Sequence, residues 1–566
     1  MQKFTDLKNK ADQEYNTLLT KPRIRIGTDI SGVAAGSIEI SNELSKHISE
    51  HNLDITLSHV GGFGLSFAEP LIDIQMPDGS RVFYSNVTVD NVGKIVQNHL
   101  INGNPVYDLA FAYSGNLTNT NNTPEFYQLP ENKLQKKVLT ENFGEIDPTD
   151  IYEYIANDGY SALAKALFQM EADNVHKEIL DSKLRGRGGA AFPTGVKLGF
   201  LKGSEAKEKY ILCNCEEGDP GAWNDKAILE SDPHRLVEGL ILAAIATNAS
   251  NGIIFIRHGN DIPIDRTKAA IKSAYQNGLL GQNILGSEFT FDAEVVLVGE
   301  SYVAGEETAL MEAVEGKRAM PRYKPPFPAA FGVWGHPSNI NNIKTIANLP
   351  SIISKGSSWF TSIGTETSTG TAILCLSGNI NKPGLYEIEM GTTIRSVIED
   401  ICDGIPNNKE LKLLQTGGPL GGVLNSSKLD TSIDFDSMAK AGAILGSGGI
   451  IVADQDVDVI DLTRMLIAFC QFESCGKCFP CRLGNSHLLE ILNRICGKTS
   501  TESDIELMRK VGTNMQQGSL CGHGQLGFNP IKSALEYFKD DFDLALDTSI
   551  SVPNVTINIP TRANRY

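Results

Sequence analysis

The chain has 566 residues, of which 41% are hydrophobic and 21% charged, and a formal net charge of −18. That length suggests about three to four domains, and the acidic balance argues against nonspecific binding to nucleic acid or to an anionic membrane. No run of eighteen apolar residues offers a transmembrane helix, and the polar start MQKFTDLKNKADQEY lacks the apolar core of a secretory signal, so a cytoplasmic address is the default expectation.

In chain order, residues 23–113 carry RIRIG, a helical stretch from about Ala34 to Glu50, then LDITLSHV, LIDIQM and RVFYSNV. PDGS at 77–80 is a turn signal, and Thr88 is placed to cap a helix running to about Leu100. This β-α-β-β-β-α order resembles a thioredoxin-like unit, assigned to 1–113. Residues 114–135 are rich in Asn and Thr and read as a linker. A large α/β section follows over 136–365, with glycine-rich turns and strand-like runs such as GIIFIR and AEVVLVG. Residues 366–436 alternate like a small β-rich unit with one helix. From 437 to 545 the apolar spacing is helical, as in VIDLTRMLIAFCQF and GNSHLLEILNRI. Residues 546–566 read as a tail. The fold class is therefore α/β multidomain.

Ten cysteines are too few for a disulfide scaffold in so long a chain, so a tight group reads as a metal site. ESCGKCFPC puts Cys475, Cys478 and Cys481 at intervals of three, and Cys521 in GSLCGHG is the candidate fourth ligand. Four thiolates suit an iron–sulfur cube, with one short loop wrapping three corners. Zinc is the rival, although its sites more often pair two CxxC units. Cys213, Cys215, Cys375, Cys402, Cys470 and Cys496 read as core residues.

Two further stretches carry chemistry. LRGRGGAAFPTGVKL (184–198) has glycines that allow close backbone approach to a phosphate or flat ring, with Lys197 available for a phosphate. CNCEEGDPGAWNDKAILESDPHR (213–235) is densely acidic; such loops are usually solvated, but carboxylates also suit sugar hydroxyls. A third, 301–345, combines Gly305-Glu306-Glu307 at a helix start with a rigid KPPFP and an Asn pair.

GRGGAAFPTG, EGDPGAW, GEETALMEAVEGKR, KPPFPA and ESCGKCFPCR, in this order, resemble the flavoprotein subunit of NADH-oxidising modules over roughly 136–545. That family includes the NADH-binding subunit of complex I and the diaphorase subunits of NAD-linked hydrogenases and formate dehydrogenases. The resemblance implies FMN in a Rossmann-like domain, NAD(H) stacked on it, a ubiquitin-like (SLBB-type, β-grasp) domain, and a helical bundle holding one [4Fe–4S] cluster on Cys475, Cys478, Cys481 and Cys521. It places Gly186, Arg187, Gly188 and Lys197 along the FMN, and Asn214, Glu216, Tyr302, Gly305, Asn341, Asn342 and Thr345 around its ring, ribityl and phosphate. Phe192, Glu217, Glu306, Lys324 and Phe327 are to face NAD(H), with Glu306 the catalytic candidate. Carboxylates there would repel a 2′-phosphate and favour NAD over NADP.

The chain departs from the family pattern at Ala191, Glu216, the VGES before Tyr302, and Lys344, where a glutamate is usual. The N-terminal unit, which in many relatives holds a [2Fe–2S] cluster, has no cysteine, since residues 1–212 contain none. It reads as a docking unit. This domain set looks most like the β subunit of a cytoplasmic formate dehydrogenase, with a hydrogenase diaphorase or the NADH-binding subunit of complex I as alternatives and a degenerate scaffold as the non-enzyme alternative. The implied partners are a thioredoxin-like [2Fe–2S] subunit and an iron–sulfur-rich catalytic or relay subunit. Because Glu306 and Phe327, for the nucleotide, and Cys475, for the cluster, fall in different domains, their defects are expected to be nearly independent.

Overall fold

The computed structural model describes residues 1–117 and 120–546. The stretch read as a C-terminal tail lies, beyond Leu546, outside the described residues. Among the described residues, no helix is long and apolar enough to cross a membrane.

The first unit is a five-stranded sheet, β1 (Arg23–Gly27), β2 (Thr56–Val60), β3 (Ile72–Gln75), β4 (Arg81–Tyr84) and β5 (Ala110–Ser114), in the order β2-β1-β3-β4-β5. Only β1 and β2 pair in parallel. Ile24, Ile26, Ile72, Ile74, Val82 and Tyr84 form one core face, covered by Ile40 and Leu44 of the helix Ser37–Glu50. The alternation in RIRIG suggests a solvated second face, yet both faces are buried. Arg23 pairs with Glu153 at 2.7 Å, Arg25 and Arg81 share Asp73 at 3.0 and 2.6 Å, and Arg81 also takes Glu145 at 2.7 Å. The charged face is thus pressed against the next domain. Breaking one such buried pair costs about 3–5 kcal/mol.

The polar N-terminus forms a helix, Gln2–Leu18, to which the sequence reading assigns no element. Phe4, Leu7 and Ala11, at helical spacing, pack it on the core, and Lys8 Nζ anchors it on the carbonyls of Ile155 and Ala156. The linker reading also needs correction. Phe126, in the turn Phe126–Gln128, is buried and stacks on Phe83 at 3.8 Å, and a short helix follows at Pro130–Lys133.

The second sheet is fully parallel: β6 (Tyr210–Cys215), β7 (Asn251–Arg257), β8 (Asp292–Val298) and β9 (Ser338–Asn342), in the order β8-β7-β6-β9. The helix Pro233–Thr247 is buried along its whole length behind it. The third sheet contains β10 (Thr371–Gly378), β11 (Gly384–Glu389), β12 (Leu411–Thr416), β13 (Val423–Asn425) and β14 (Gly449–Asp454), in the order β11-β10-β14-β12-β13. Strand β14 carries this unit past the boundary drawn at 436. The short helix Phe435–Lys440 before it gave a helical signal too early. The buried Glu387 carboxylate accepts from the amides of Val138, Leu139 and Thr140 at 2.8–3.0 Å, tying the start of the second domain to the third. The bundle follows: Val459–Glu473, Phe479–Cys496, Glu502–Gly518, Asn529–Tyr537 and Lys539–Leu546. Leu488, Ile491, Leu492 and Ile495 give one helix its buried stripe.

Where the first unit meets the second, Asp29, Glu69 and Glu230 come together. Glu230 Oε2 accepts from the Ile30 amide at 3.2 Å, Ser31 bonds Glu69, and Arg266 donates to the Thr28 carbonyl at 2.9 Å and to the Glu230 carbonyl. Burial first, then the Asp29 charge, pushes both Glu69 and Glu230 up to about 8. Carboxyl groups raised in the fold stabilise it most below their unfolded value and lose that contribution as pH rises through about 8. The wild-type melting temperature should therefore fall between pH 6 and 9. Glu230→Gln should flatten that slope, by at most ~1.4 kcal/mol per pH unit; thermal melts across this range provide the measurement, and parallel slopes would contradict it.

Candidate functional site

In an open parallel sheet, ligands sit beyond the carboxyl ends of the strands where the strand order reverses. Here that point lies between β6 and β9, because the chain leaves β6 toward β7 and β8 and returns on the other side. The sequence-predicted residues gather there. Asn214 Nδ2 donates to the Gly305 carbonyl at 2.7 Å, and its Oδ1 accepts from the Glu216 amide at 3.1 Å. Glu216 takes the Gly218 amide at 3.0 Å and Arg257 at 3.4 Å, and burial pushes its carboxyl up to about 8. At the end of β9, Asn341 bonds Asn339, and Asn342 Oδ1 accepts from the Lys344 amide while Nδ2 reaches Asp225 at 2.5 Å. The Arg187 amide donates to Thr345 Oγ1 at 2.9 Å, which sets the loop 186–189 across this end of the sheet. Gly188 is required there, since a Cβ would lie 2.9 Å from Asn342 Cβ.

The wall of the cleft is built from charged and aromatic groups. Glu306 caps the helix Glu307–Val314, accepting from the Thr308 and Ala309 amides at 2.9 and 3.0 Å, and also meets Lys324 at 3.2 Å. Glu307, which no motif singled out as a site residue, joins Lys197 at 3.0 Å to Lys324 at 2.6 Å. Its place beside Glu306 in GEET was the available signal. Lys197 therefore spends its ammonium on Glu307 and on the Ile340 carbonyl at 2.6 Å. Phe192 and Phe327 are 45% and 60% exposed, free apolar faces of the kind that stack on flat rings. Glu217 faces inward, accepting from the Asp225 and Lys226 amides at 2.8 and 2.9 Å; burial and Asp225 push it up to about 7.

Two side chains point elsewhere than the sequence suggests. The Arg187 guanidinium leaves the cleft for the third domain, bonding the Thr369 carbonyl over the Phe435 ring. Burial, then Arg185, lowers its pKa to about 9, and its Nε and Nη1 have no protein partner. The Tyr302 ring packs into the bundle against Phe469 and His523, at 5.3 and 5.7 Å.

Cys475, Cys478, Cys481 and Cys521 line one cavity, together with Val303, Ser474 and His523. Cys481 receives Ser474 Oγ and Asn485 Nδ2, each at 3.4 Å, and such donors to sulfur are outer contacts of the kind that tune a thiolate cluster. Burial pushes the thiols of Cys481 and Cys521 up to about 11 and 12, so binding iron there must also drive off protons. Among the described residues, no three His, Cys, Asp or Glu side chains converge for a single metal ion. Four sulfurs spread round a cavity suit a cluster with iron at its corners. The glycine loop, tied to Thr345 by the Arg187 amide, likewise fits an anionic cofactor at the strand ends. Cavity and cleft are neighbours: the turn Tyr302–Gly305 puts Val303 in one and Gly305 in the other. One turn thus joins the nucleotide and cysteine sites, although their residues lie in different domains.

Two family profiles match the chain, one described as the Nuo51 FMN-binding domain over residues 179–351 and one as the NADH-ubiquinone oxidoreductase-F iron-sulfur binding region over 461–545. The chain is 44% identical over 415 residues to the NADP-reducing hydrogenase subunit HndC of Solidesulfovibrio fructosivorans, covering 73% of this chain and 84% of that protein. It is 40% identical over 405 residues to the second F-type chain of the NADH-quinone oxidoreductase of Rhizobium meliloti (strain 1021), covering 72% and 96%. Its fold is similar to a chain of the NAD+-reducing [NiFe]-hydrogenase in the H2-reduced state, with a TM-score of 0.65 at 24% identity over 93% of this chain and 84% of that one.

Anaerobically purified protein should carry about four irons per chain, and Cys475→Ser should lower that count. Stoichiometric zinc, or six to eight irons, would contradict the single cluster. Gly188→Ala should cost at least tenfold in cofactor affinity, measured by fluorescence titration, because Asn342 cannot give way without moving Asp225.

Proposed function

The chain belongs to the family of the F-type chains of NADH-quinone oxidoreductase and their hydrogenase counterparts, NADH-dehydrogenase-type oxidoreductases with FMN and a [4Fe–4S] cluster; on that premise we propose that it exchanges electrons between NAD(H) and a partner protein. When bound, flavin supplies the conversion between electron pairs and single electrons, and the cluster supplies a one-electron relay. The chain's residues hold and separate the reactants. Asn214, Glu216, Gly305, Asn341, Asn342, Thr345 and the backbone of Gly186, Arg187 and Gly188 bind the flavin, with Lys197 held at its edge by Glu307, while the Tyr302 ring anchors the turn on the bundle. Phe192 and Phe327 offer stacking faces to the nucleotide, and Lys324 orients it. Glu306 and Glu217 accept from its ribose hydroxyls with capacity their helix amides leave free. The observation that carries this reading is the turn Tyr302–Gly305, which brings the cleft against the cysteine cavity.

The partner is the finer part of the proposal. The 44% identity to a hydrogenase subunit supports a hydrogenase partner linked to a nicotinamide nucleotide, reached through a thioredoxin-like [2Fe–2S] subunit and an iron–sulfur relay. A formate dehydrogenase partner is the second reading, favoured by the thioredoxin-like unit that this domain set carries over residues 1–113.

NADH should bleach the flavin absorbance of the purified protein, and a colourless preparation would favour a scaffold. NADPH should act more slowly, because a 2′-phosphate would lie beside the carboxylates of Glu217 and Glu306, and like charges repel; equal rates would remove Glu217 and Glu306 from the nucleotide site. In stopped flow, Glu306→Gln should slow bleaching at least about tenfold, or 1.4 kcal/mol, with iron content unchanged. Cys475→Ser should leave bleaching largely intact but abolish electron delivery to the partner, with a melting curve as the folding control.

A further inference from the structure

The cleft after β6 is rich in carboxylates: Glu216, Glu217, Asp219 and Asp225. An anionic cofactor bound there needs positive charge close by. Lys344 supplies a buried cation in this setting. It is 3% exposed and sits on the helix Ile343–Ala347, between Asn342 and Thr345. Its Nζ donates to Asp225 Oδ1 and Asn224 Oδ1, both at 2.6 Å, and to the Ser447 carbonyl at 3.2 Å. Asn224 Nδ2 donates to the same Ser447 carbonyl at 2.7 Å and to the Ile373 carbonyl at 3.0 Å. The other oxygen of Asp225 receives Asn342 Nδ2. The ammonium therefore fastens three segments at the cleft: the acidic loop, the helix after β9, and the loop before β14.

A buried lysine often gives up its proton. Here burial lowers the pKa, but the charges of Asp225 and Glu217 outweigh it and hold Lys344 above its ordinary value. A structural role alone would be served by a neutral hydrogen-bonding side chain. A retained charge in a low-dielectric site acts on any charge that changes nearby. Hydride addition to a neutral flavin ring brings one negative charge with it.

We propose that Lys344 is a positioning residue that sets the reduction potential of the flavin: its buried ammonium, held by Asp225, Asn224 and Ser447, favours the more negative, reduced form, and through Asp225 it fixes Asn342. This rests on the reading that FMN occupies the cleft. Charge near a cofactor is one of the few means by which a protein tunes its electronics. Loss of the ammonium would leave Asp225 uncompensated at the same place, so removal acts in one direction only.

The experiment uses the full-length protein loaded with FMN. Dissociation constants are measured for oxidised and for reduced FMN, and the midpoint potential by dye-linked reductive titration, in wild type, Lys344→Met and Lys344→Arg. Lys344→Met should weaken reduced FMN about tenfold more than oxidised FMN, which for a two-electron couple is a midpoint lower by about 30 mV. Lys344→Arg should restore most of the difference. Equal weakening of both forms with an unmoved midpoint would reduce Lys344 to a structural strut and overturn the inference. Should Lys344→Met fail to fold or to hold FMN, Lys344→Gln, which keeps donors for Asn224 and Ser447, carries the same expectation. Loss of FMN from both neutral variants would overturn it in favour of a structural role. Wild-type protein that takes up no FMN would overturn the reading of the cleft itself, whereas bound flavin with unmoved midpoints overturns this inference alone.

Discussion

The turn Tyr302–Gly305 is held from both sides, and much of the site depends on that. The Gly305 carbonyl accepts from Asn214 at the end of β6, while the Tyr302 amide donates to Glu473 at the end of a bundle helix, at 3.0 Å. One residue further on, Glu306 starts the helix Glu307–Val314 as its cap. Four residues thus connect the carboxyl end of a parallel sheet, a helix start and a ring of cysteines. Gly305 leaves little room for a side chain: a Cβ would lie 3.1 Å from Glu216 Oε2, so the carboxylate would have to shift. The bundle is placed relative to the cleft by hydrogen bonds between side chains of both neighbours and the backbone of this turn. Side-chain packing then fills in around them, with the Tyr302 ring between Phe469 and His523.

The same economy governs charge. Carboxylates are concentrated where the chain must bind hydroxyls and cap helices, and each is given a defined partner. Glu217 and Glu306 both bond helix-start amides, so their oxygens are fixed before any ligand arrives, and a preorganised group loses less freedom on binding. Glu307 holds two lysines that would otherwise move independently. Two of the carboxyl groups titrate near neutrality because burial opposes their charge, which leaves the electrostatics of the cleft responsive to its contents.

Much of this was legible in the residues because chemistry fixes spacing. Three cysteines at intervals of three can wrap one object, and the structure rings them round one cavity with Cys521. The glycines of 186–189 announced a close approach, and Gly188 makes it against Asn342. Other features left no local trace. The arginines of β1 alternate with isoleucines as a solvated strand would, and nothing within RIRIG says that Glu153 and Asp73 wait across an interface. Strand β14 is a short apolar run among glycines, and its parallel pairing with β10 comes from far along the chain. Phe126 lies in an Asn- and Thr-rich stretch, where composition masks one aromatic anchor. Side-chain direction was the hardest to read. The motif gave Arg187 its place, but the orientation of its guanidinium is decided by Phe435 and Thr369, residues of another domain.

The first unit shows how a loop without metal ligands can still be constrained. Its loops 27–37 and 61–70 face this chain's own domains. A Cβ at Gly61 would fall 2.1 Å from Ser231 Oγ, one at Gly62 2.2 Å from Asp29 Oδ2, and one at Gly64 2.5 Å from the Leu385 carbonyl. Three glycines in four positions therefore serve contact: two with the second and third domains, and one with the loop that carries Asp29. Buried ion pairs on the arginine face and the carboxyl group of Glu230 secure the same junction. Such an interface is demanding in geometry, since a half-satisfied polar contact is worse than an apolar one. It fixes the unit in a single orientation on the electron-handling domains. The side of the unit that would otherwise present these loops to solvent is occupied within the chain. Any docking by this unit must then use its remaining surface, on the far side from Ser231 and Leu385.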